Sequence, residues 1–115
     1  MSIIIVEKLT KEDIQKAREE YSEYIKITVD IKKEIVAIGG EYHADAELIL
    51  AEKYQSQKND LWGGGYNITL RKFETNAIIN IKPTINDSPD ILTPEIREKF
   101  LNVVKEKLKG LELTI

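Results

Sequence analysis

The segment GGEYHADAE, residues 39–47, sets the only histidine of the 115-residue chain, His43, among three carboxylates, Glu41, Asp45 and Glu47. If residues 41–45 are extended, side chains at i, i+2 and i+4 project to one side. Glu41, His43 and Asp45 then form a set able to hold Mn²⁺, Fe²⁺ or Zn²⁺ with positions left for water. Without a metal, His43 beside Asp45 or Asp60 is an oriented general base. If the segment starts a helix, Glu41 and Asp45 share a face and His43 points away. The triplet then dissolves into a capping carboxylate and a histidine with one structural hydrogen bond, and the helix-end signals favour this reading.

A second candidate is QKNDLWG, residues 57–63. Gln57, Asp60 and Trp62 could line a pocket, with the indole as wall and its N–H as donor. The plainer reading is preferred: a lone tryptophan in a small domain buries, and Asp60 fixes the turn through an Asx bond. GGGYN, residues 63–67, is not a phosphate loop, since no Lys-Ser/Thr pair and no helix follow it. Its glycines instead permit a bulge or a close backbone approach. Ser56 and Ser88 sit in turn-like sequence, and no nucleophile motif surrounds them.

Composition narrows the chemistry further. There is no cysteine, which removes disulfides, thiol catalysis and Cys-based zinc sites. The net charge of −3 argues against general nucleic-acid binding, which needs a surplus of Lys and Arg. The opening MSIIIVEKLTKED has too few apolar residues for a signal-peptide core or a membrane span. The expectation is one cytoplasmic domain over residues 1–115, which is enough chain for one core.

The elements that must position these residues follow from periodicity. SIIIV (2–6) predicts a strand. Thr10 caps a helix over 11–23, with Glu12 and Asp13 in its first turn. Residues 25–38 predict a hairpin in which Val29 faces Val36 and Ile27 faces Ile38, with a turn at Lys32-Lys33. HADAELILAEKY (43–54) predicts a short helix. Tyr66, Ile68 and Leu70 predict a second hairpin, its turn at Glu74-Thr75, pairing Leu70 with Ile79 and Ile68 with Ile81. Its outer face, shared with the first hairpin, carries Lys26, Thr28, Asn67, Thr69, Arg71, Asn80 and Lys82. That face could receive an anionic ligand or a nucleic-acid strand, but it lacks exposed aromatics for base stacking and the solvated reading is preferred. Asn67 and Asn80 are placed to satisfy the backbone of the 39–45 turn. Thr93 and Pro94 start the last helix, Gly110 stops it, and LELTI adds a short edge strand. The fold class is α+β: a two-layer sandwich with an antiparallel sheet of four or five strands built from two hairpins, helices packed on one face. A ferredoxin-like βαββαβ core over residues 2–70 is the topological rival.

The string VDIKKEIVAIGGEYHADAE, then SQKNDLWG, then INIKP and PEIRE, resembles a family of small bacterial and archaeal proteins known as a domain of unknown function. The likeness runs from about residue 25 to 108. Its pattern falls on Gly39, Gly40, Glu41, His43, Ala44, Asp45, Gln57, Asp60, Leu61, Trp62, Gly63, Asn80, Pro83 and Arg97. This chain departs in carrying Glu34 where a turn glycine is expected, and three glycines at 63–65 where larger residues follow the Trp-Gly. The resemblance implies candidate positions and no reaction.

The reading is therefore a binding or accessory module with a pocket near residues 39–47 and 57–63, drawn from Glu41, His43, Asp45, Gln57, Asp60, Trp62 and Asn80. The alternative is a small metal-assisted hydrolase using Glu41, His43, Asp45 and Asp60, with a divalent metal on the first three. Exposed sheet edges and the apolar C-terminus make a homodimer through strand pairing the expected partner arrangement. No membrane partner is expected. If Trp62 anchors the core, Trp62→Ala destabilises by about 3–5 kcal/mol; an unchanged unfolding midpoint would remove that assignment.

Overall fold

The computed structural model describes residues 3–114. Five strands form one antiparallel sheet in the order β1-β3-β2-β4-β5. They are β1 (Ile4–Val6), β2 (Tyr24–Asp30), β3 (Ile35–Ile38), β4 (Leu61–Asn67) and β5 (Lys72–Glu74). Helices α1 (Lys11–Ala17), α2 (His43–Tyr54), α3 (Pro94–Lys107) and α4 (Leu111–Thr114) complete the α+β fold. Ser2 of the expected first strand and Ile115 of LELTI lie outside the described residues.

The β2–β3 hairpin has the expected register, Val29 opposite Val36 and Ile27 opposite Ile38. Its turn works without glycine. Asp30 Oδ1 accepts the Lys32 and Lys33 N–H groups at 3.0 and 2.9 Å, and Glu34 itself takes the left-handed conformation at φ 58°. β1 pairs with the far edge of β3, so β1 and β2 run parallel on either side of it, joined through α1. Thr10 and Asp13 form a reciprocal capping box on α1. That helix ends at Ala17 rather than running to 23, because Tyr24 already pairs with Asn67 in the sheet. Ladder hydrogen bonds outweigh a weak local helical pattern there.

The second hairpin differs from expectation. β4 contains all three glycines, which pair with Lys26, Ile27 and Thr28. The turn comes early: Asn67 Oδ1 accepts the Leu70 N–H, Arg71 sits at φ 52°, and Tyr66 faces Phe73. Ile79 lies in a 3₁₀ turn, Ile78–Asn80, not in a strand. Of LELTI, residues Leu111–Thr114 form α4, whose Leu111 is buried in the core rather than on an edge strand. β4 lies beside β2, not beside β1 as the ferredoxin-like rival requires.

Helices cover both faces of the sheet, so the expected two layers become three. One face buries Ile25, Ile27, Val29, Val36, Ile38, Trp62 and Tyr66 against Ile14 and Ala17 of α1 and Phe100, Val103 and Val104 of α3. Trp62 is 1% exposed. The opposite face packs Ala37 and Leu61 against Ala46 and Leu50 of α2. The physical reason is visible in β3, a continuous apolar run that suits a strand buried on both sides. Thr28, placed on a solvated face by alternation, is 1% exposed beneath this second layer.

The glycines exist for space. A Cβ on Gly64 would stand 2.1 Å from the Glu74 carbonyl oxygen and 2.8 Å from the Phe100 ring; one on Gly65 would stand 2.1 Å from the Tyr24 hydroxyl. Gly64→Ala is expected to lower stability by about 1–3 kcal/mol or more, because the nearest obstacle is backbone that cannot swing away. Equilibrium urea unfolding with an unchanged midpoint would contradict this.

Candidate functional site

The site is built outward from Gly63. In the sheet this residue lies opposite Thr28. Its own N–H and carbonyl are taken by one side chain: Asn80 Oδ1 accepts the Gly63 N–H at 2.8 Å, and Asn80 Nδ2 donates to the Gly63 carbonyl at 2.9 Å. Nδ2 also reaches the Thr75 and Pro89 carbonyls at 3.2 and 2.9 Å, so its two hydrogens are shared among three acceptors. Asn86 repeats the device. Its Nδ2 donates to the carbonyls of Asn80, Ser88 and Asp90, and its Oδ1 accepts the Leu92 N–H. Two buried amides thus pin residues 75–92 against the edge of β4. They do not reach the 39–45 turn, and Asn67 is occupied by its own hairpin.

His43 approaches the same strand from the α2 layer. It is the first residue of α2, after a double turn at Gly39 and Gly40 with φ 90° and 91°. Its ring packs so closely that a Cβ on Gly63 would lie 2.9 Å from Cδ2. Nε2 donates to the Gly64 carbonyl at 2.7 Å, which leaves Nδ1 with its lone pair. Burial pushes the imidazole down to about 4; the Gly64 bond opposes this and the Lys26 ammonium adds to it. At neutral pH the ring is uncharged.

A groove of about 450 Å³ opens over this floor. Tyr24 and Lys26 of β2, His43 of α2, and Asn76, Ala77, Ile78 and Pro89 of the pinned segment line it. The Lys26 ammonium lies 5.0 Å from the Tyr21 ring centroid and 5.9 Å from that of Tyr24. Burial, with the Glu74 carboxylate, pushes the Tyr24 hydroxyl up to about 12.

Of the candidate pocket residues Glu41, His43, Asp45, Gln57, Asp60, Trp62 and Asn80, only His43 is among the described residues that line this groove, joined there by Lys26 of the outer sheet face; Asn80 supports it from behind. Glu41 is exposed in the loop before α2, and its carbonyl accepts the Tyr21 hydroxyl. Asp45 is two residues along the helix from His43, about 200° around its axis. Among the described residues no group of three or more His, Asp and Glu side chains is placed to hold a metal ion. Gln57 and Asp60 frame the 3₁₀ turn Lys58–Asp60, where the Asp60 N–H donates to the Gln57 carbonyl and the Asp60 carbonyl accepts the Ile31 N–H. This replaces the expected Asx bond.

Trp62 anchors the core on the opposite face, its Nε1–H on the Asn59 carbonyl. Beside it sits Lys82, which the sequence reading left on a solvated face. Lys82 is 2% exposed, lies 4.9 Å over the Trp62 ring, and donates to the Lys58 and Ile79 carbonyls at 2.9 and 3.1 Å. Burial lowers its pKa, while the Glu47 and Asp60 carboxylates pull the other way. The groove residues Tyr24, Asn76, Ile78 and Pro89 are not among the candidates the sequence offers, and Lys26 appears there only on the outer sheet face. Nothing local in the sequence indicates that residues 76–89 fold back to within reach of β2.

The chain matches, over residues 3–107, the family described as protein of unknown function (DUF5674), and it belongs to that family. The family resemblance read in the sequence is thereby borne out. No curated protein and no solved structure matches the chain. Among the described residues no helix is long and apolar enough to cross a membrane.

Two outcomes follow from the geometry. Asn80→Ala strands the Gly63 N–H and carbonyl and two further carbonyls, and should cost at least about 3 kcal/mol; a loss below about 1 kcal/mol in denaturant unfolding would refute the pinning role. For His43, the folded-state value of about 4 lies below the ordinary 6.5. The unfolded chain therefore takes up a proton first as pH falls. The stability that the neutral ring contributes is full above the unfolded value and is lost progressively towards the folded value, by at most about 3 kcal/mol. His43→Gln should flatten that part of the pH–stability curve; an identical slope in the variant would count against it.

Proposed function

We propose that this member of the family is a binding module, and that its ligand enters the groove lined by Tyr24, Lys26, His43 and Asn76–Ile78. The observation that carries this reading is the commitment of His43. Its Nε2–H is spent on the Gly64 carbonyl, burial makes the ring a weak base, and it serves as a wall of the groove. A general base works best when its pKa lies near the operating pH and a carboxylate stabilises its protonated form, and burial holds the His43 ring well below that range. The carboxylates proposed for that role, Asp45 and Asp60, lie elsewhere, on α2 away from the ring and at the 3₁₀ turn before β4. The metal-assisted alternative needs Glu41, His43, Asp45 and Asp60 to converge, and it draws no support from their positions.

The groove has the make-up of a ligand site. Its volume of about 450 Å³ falls in the range usual for small molecules, about 300–1,000 Å³. Apolar walls from Ala77, Ile78 and Pro89 face a cation and an aromatic ring. It is assembled from three separated segments, each held by buried hydrogen bonds, so it is formed before any ligand arrives.

Amide chemical-shift mapping with a mixture of small polar and apolar compounds tests the reading. Shifts are expected at Lys26, at Gly63–Gly65 and at Asn76–Ile78. Ile78 is 74% exposed, so Ile78→Ser should leave the unfolding midpoint unchanged while weakening binding about tenfold. Absence of shifts, or shifts centred on the depression of about 300 Å³ at Phe73, Leu108 and Leu111, would overturn the assignment.

A further inference from the structure

Resting on the binding reading above, we infer that the groove takes a small organic carboxylate, its anionic end on the Lys26 ammonium and its apolar body against Ala77, Ile78 and Pro89. Lysine ammonium groups in this molecule differ in what they bond. Lys82, the most buried, gives its hydrogens to two carbonyls. Lys33 donates to the Tyr54 carbonyl, and Lys99 pairs with Glu34. Lys26 is also partly buried, yet among the described residues its ammonium makes no hydrogen bond and no ion pair and meets only aromatic faces. Its neighbours are the faces of Tyr21 and Tyr24. Aromatic faces attract a cation but accept no strong hydrogen bond, so the ammonium keeps its donors for something in the groove. A partly desolvated charge without a counter-ion is costly, and an anion arriving there removes that cost.

The surroundings narrow the anion. His43 is neutral, so Lys26 is the only positive charge lining the groove. The Glu74 carboxylate lies close enough to act on Tyr24. One ammonium in the groove, with a carboxylate close to its Tyr24 wall, suits a single negative charge better than a doubly charged phosphate. Asn76, exposed and lining the same wall, offers an amide N–H to the second carboxylate oxygen. Ile78 and Pro89, both exposed, supply apolar surface with nothing yet to bury against. A carboxylate on an aliphatic or aromatic body uses each of these features, and the volume limits it to a small molecule.

The test is a titration at pH 7 and low salt with 4-methylpentanoate and 3-phenylpropionate, their neutral amides, inorganic phosphate, and a tetrapeptide ending in a leucine carboxylate. The Hε1 resonance of His43 is an isolated reporter because the chain has one histidine. Amide shifts at Gly63–Gly65 give a second. The free acids should bind about tenfold or more tightly than their amides, and added salt should reduce the difference. Lys26→Met should abolish the preference and Lys26→Arg retain it, both with the wild-type unfolding midpoint. Equal binding of acids and amides would overturn the carboxylate and leave the binding reading standing. Tighter binding of phosphate would overturn the monoanion. Binding of the peptide alone would overturn the small-molecule occupant. No shift with any probe would overturn both this inference and the reading beneath it.

Discussion

The structure depends on the absence of side chains at three consecutive positions of an inner strand. Gly63, Gly64 and Gly65 allow β4 to be approached from several directions at once. Phe100 comes down from α3 on one face, Tyr24 and His43 lie on the other, and the Glu74 backbone closes in alongside. Glycine weakens a strand by about 0.5–1 kcal/mol relative to alanine at each position. That loss is offset because the strand gains aromatic contacts that no Cβ would allow. Three of the side chains drawn in against the glycines, Tyr24, His43 and Ala77, also line the groove.

A strand so bare needs its edge sealed. Asn80 does this by presenting an amide to Gly63 in place of a neighbouring strand's backbone. Asn86 then holds the chain that carries Asn80. This is why residues 75–92 form an ordered wall despite containing almost no regular structure. It also explains why a hairpin does not continue past Glu74: the partner that β4 would have found there is replaced by one side chain. Buried amides of this kind stabilise only while every donor and acceptor is met, and Asn80 and Asn86 both meet that condition.

Charge is distributed with similar economy. Lys82 is buried and satisfied by carbonyls beside Trp62, while Lys26 rests on two tyrosines and faces open space. His43 is neutral because it is buried and close to Lys26, not because it has a carboxylate partner. These three groups sit on or beside β4, yet two are structural and one is turned outward. The distinction between them lies in their hydrogen bonds and not in their residue types.

The sequence by itself determined much of the local architecture. The β2–β3 register, the limits of α2, the N-cap at Thr10, the start of α3 at Pro94 and the burial of Trp62 all follow from short-range periodicity, capping and composition. These are interactions between residues near in the chain, so their signal is written locally. Only the tertiary structure decided that the sheet is covered on both faces, that three glycines form a strand interior, and that Asn80 serves as a strand's partner. It also decided that Lys26, Tyr24 and Ile78 share a groove while Glu41, Asp45 and Asp60 do not join His43. Those outcomes are set by which distant segments compete to bury against β4, and no spacing along the chain records the result of that competition.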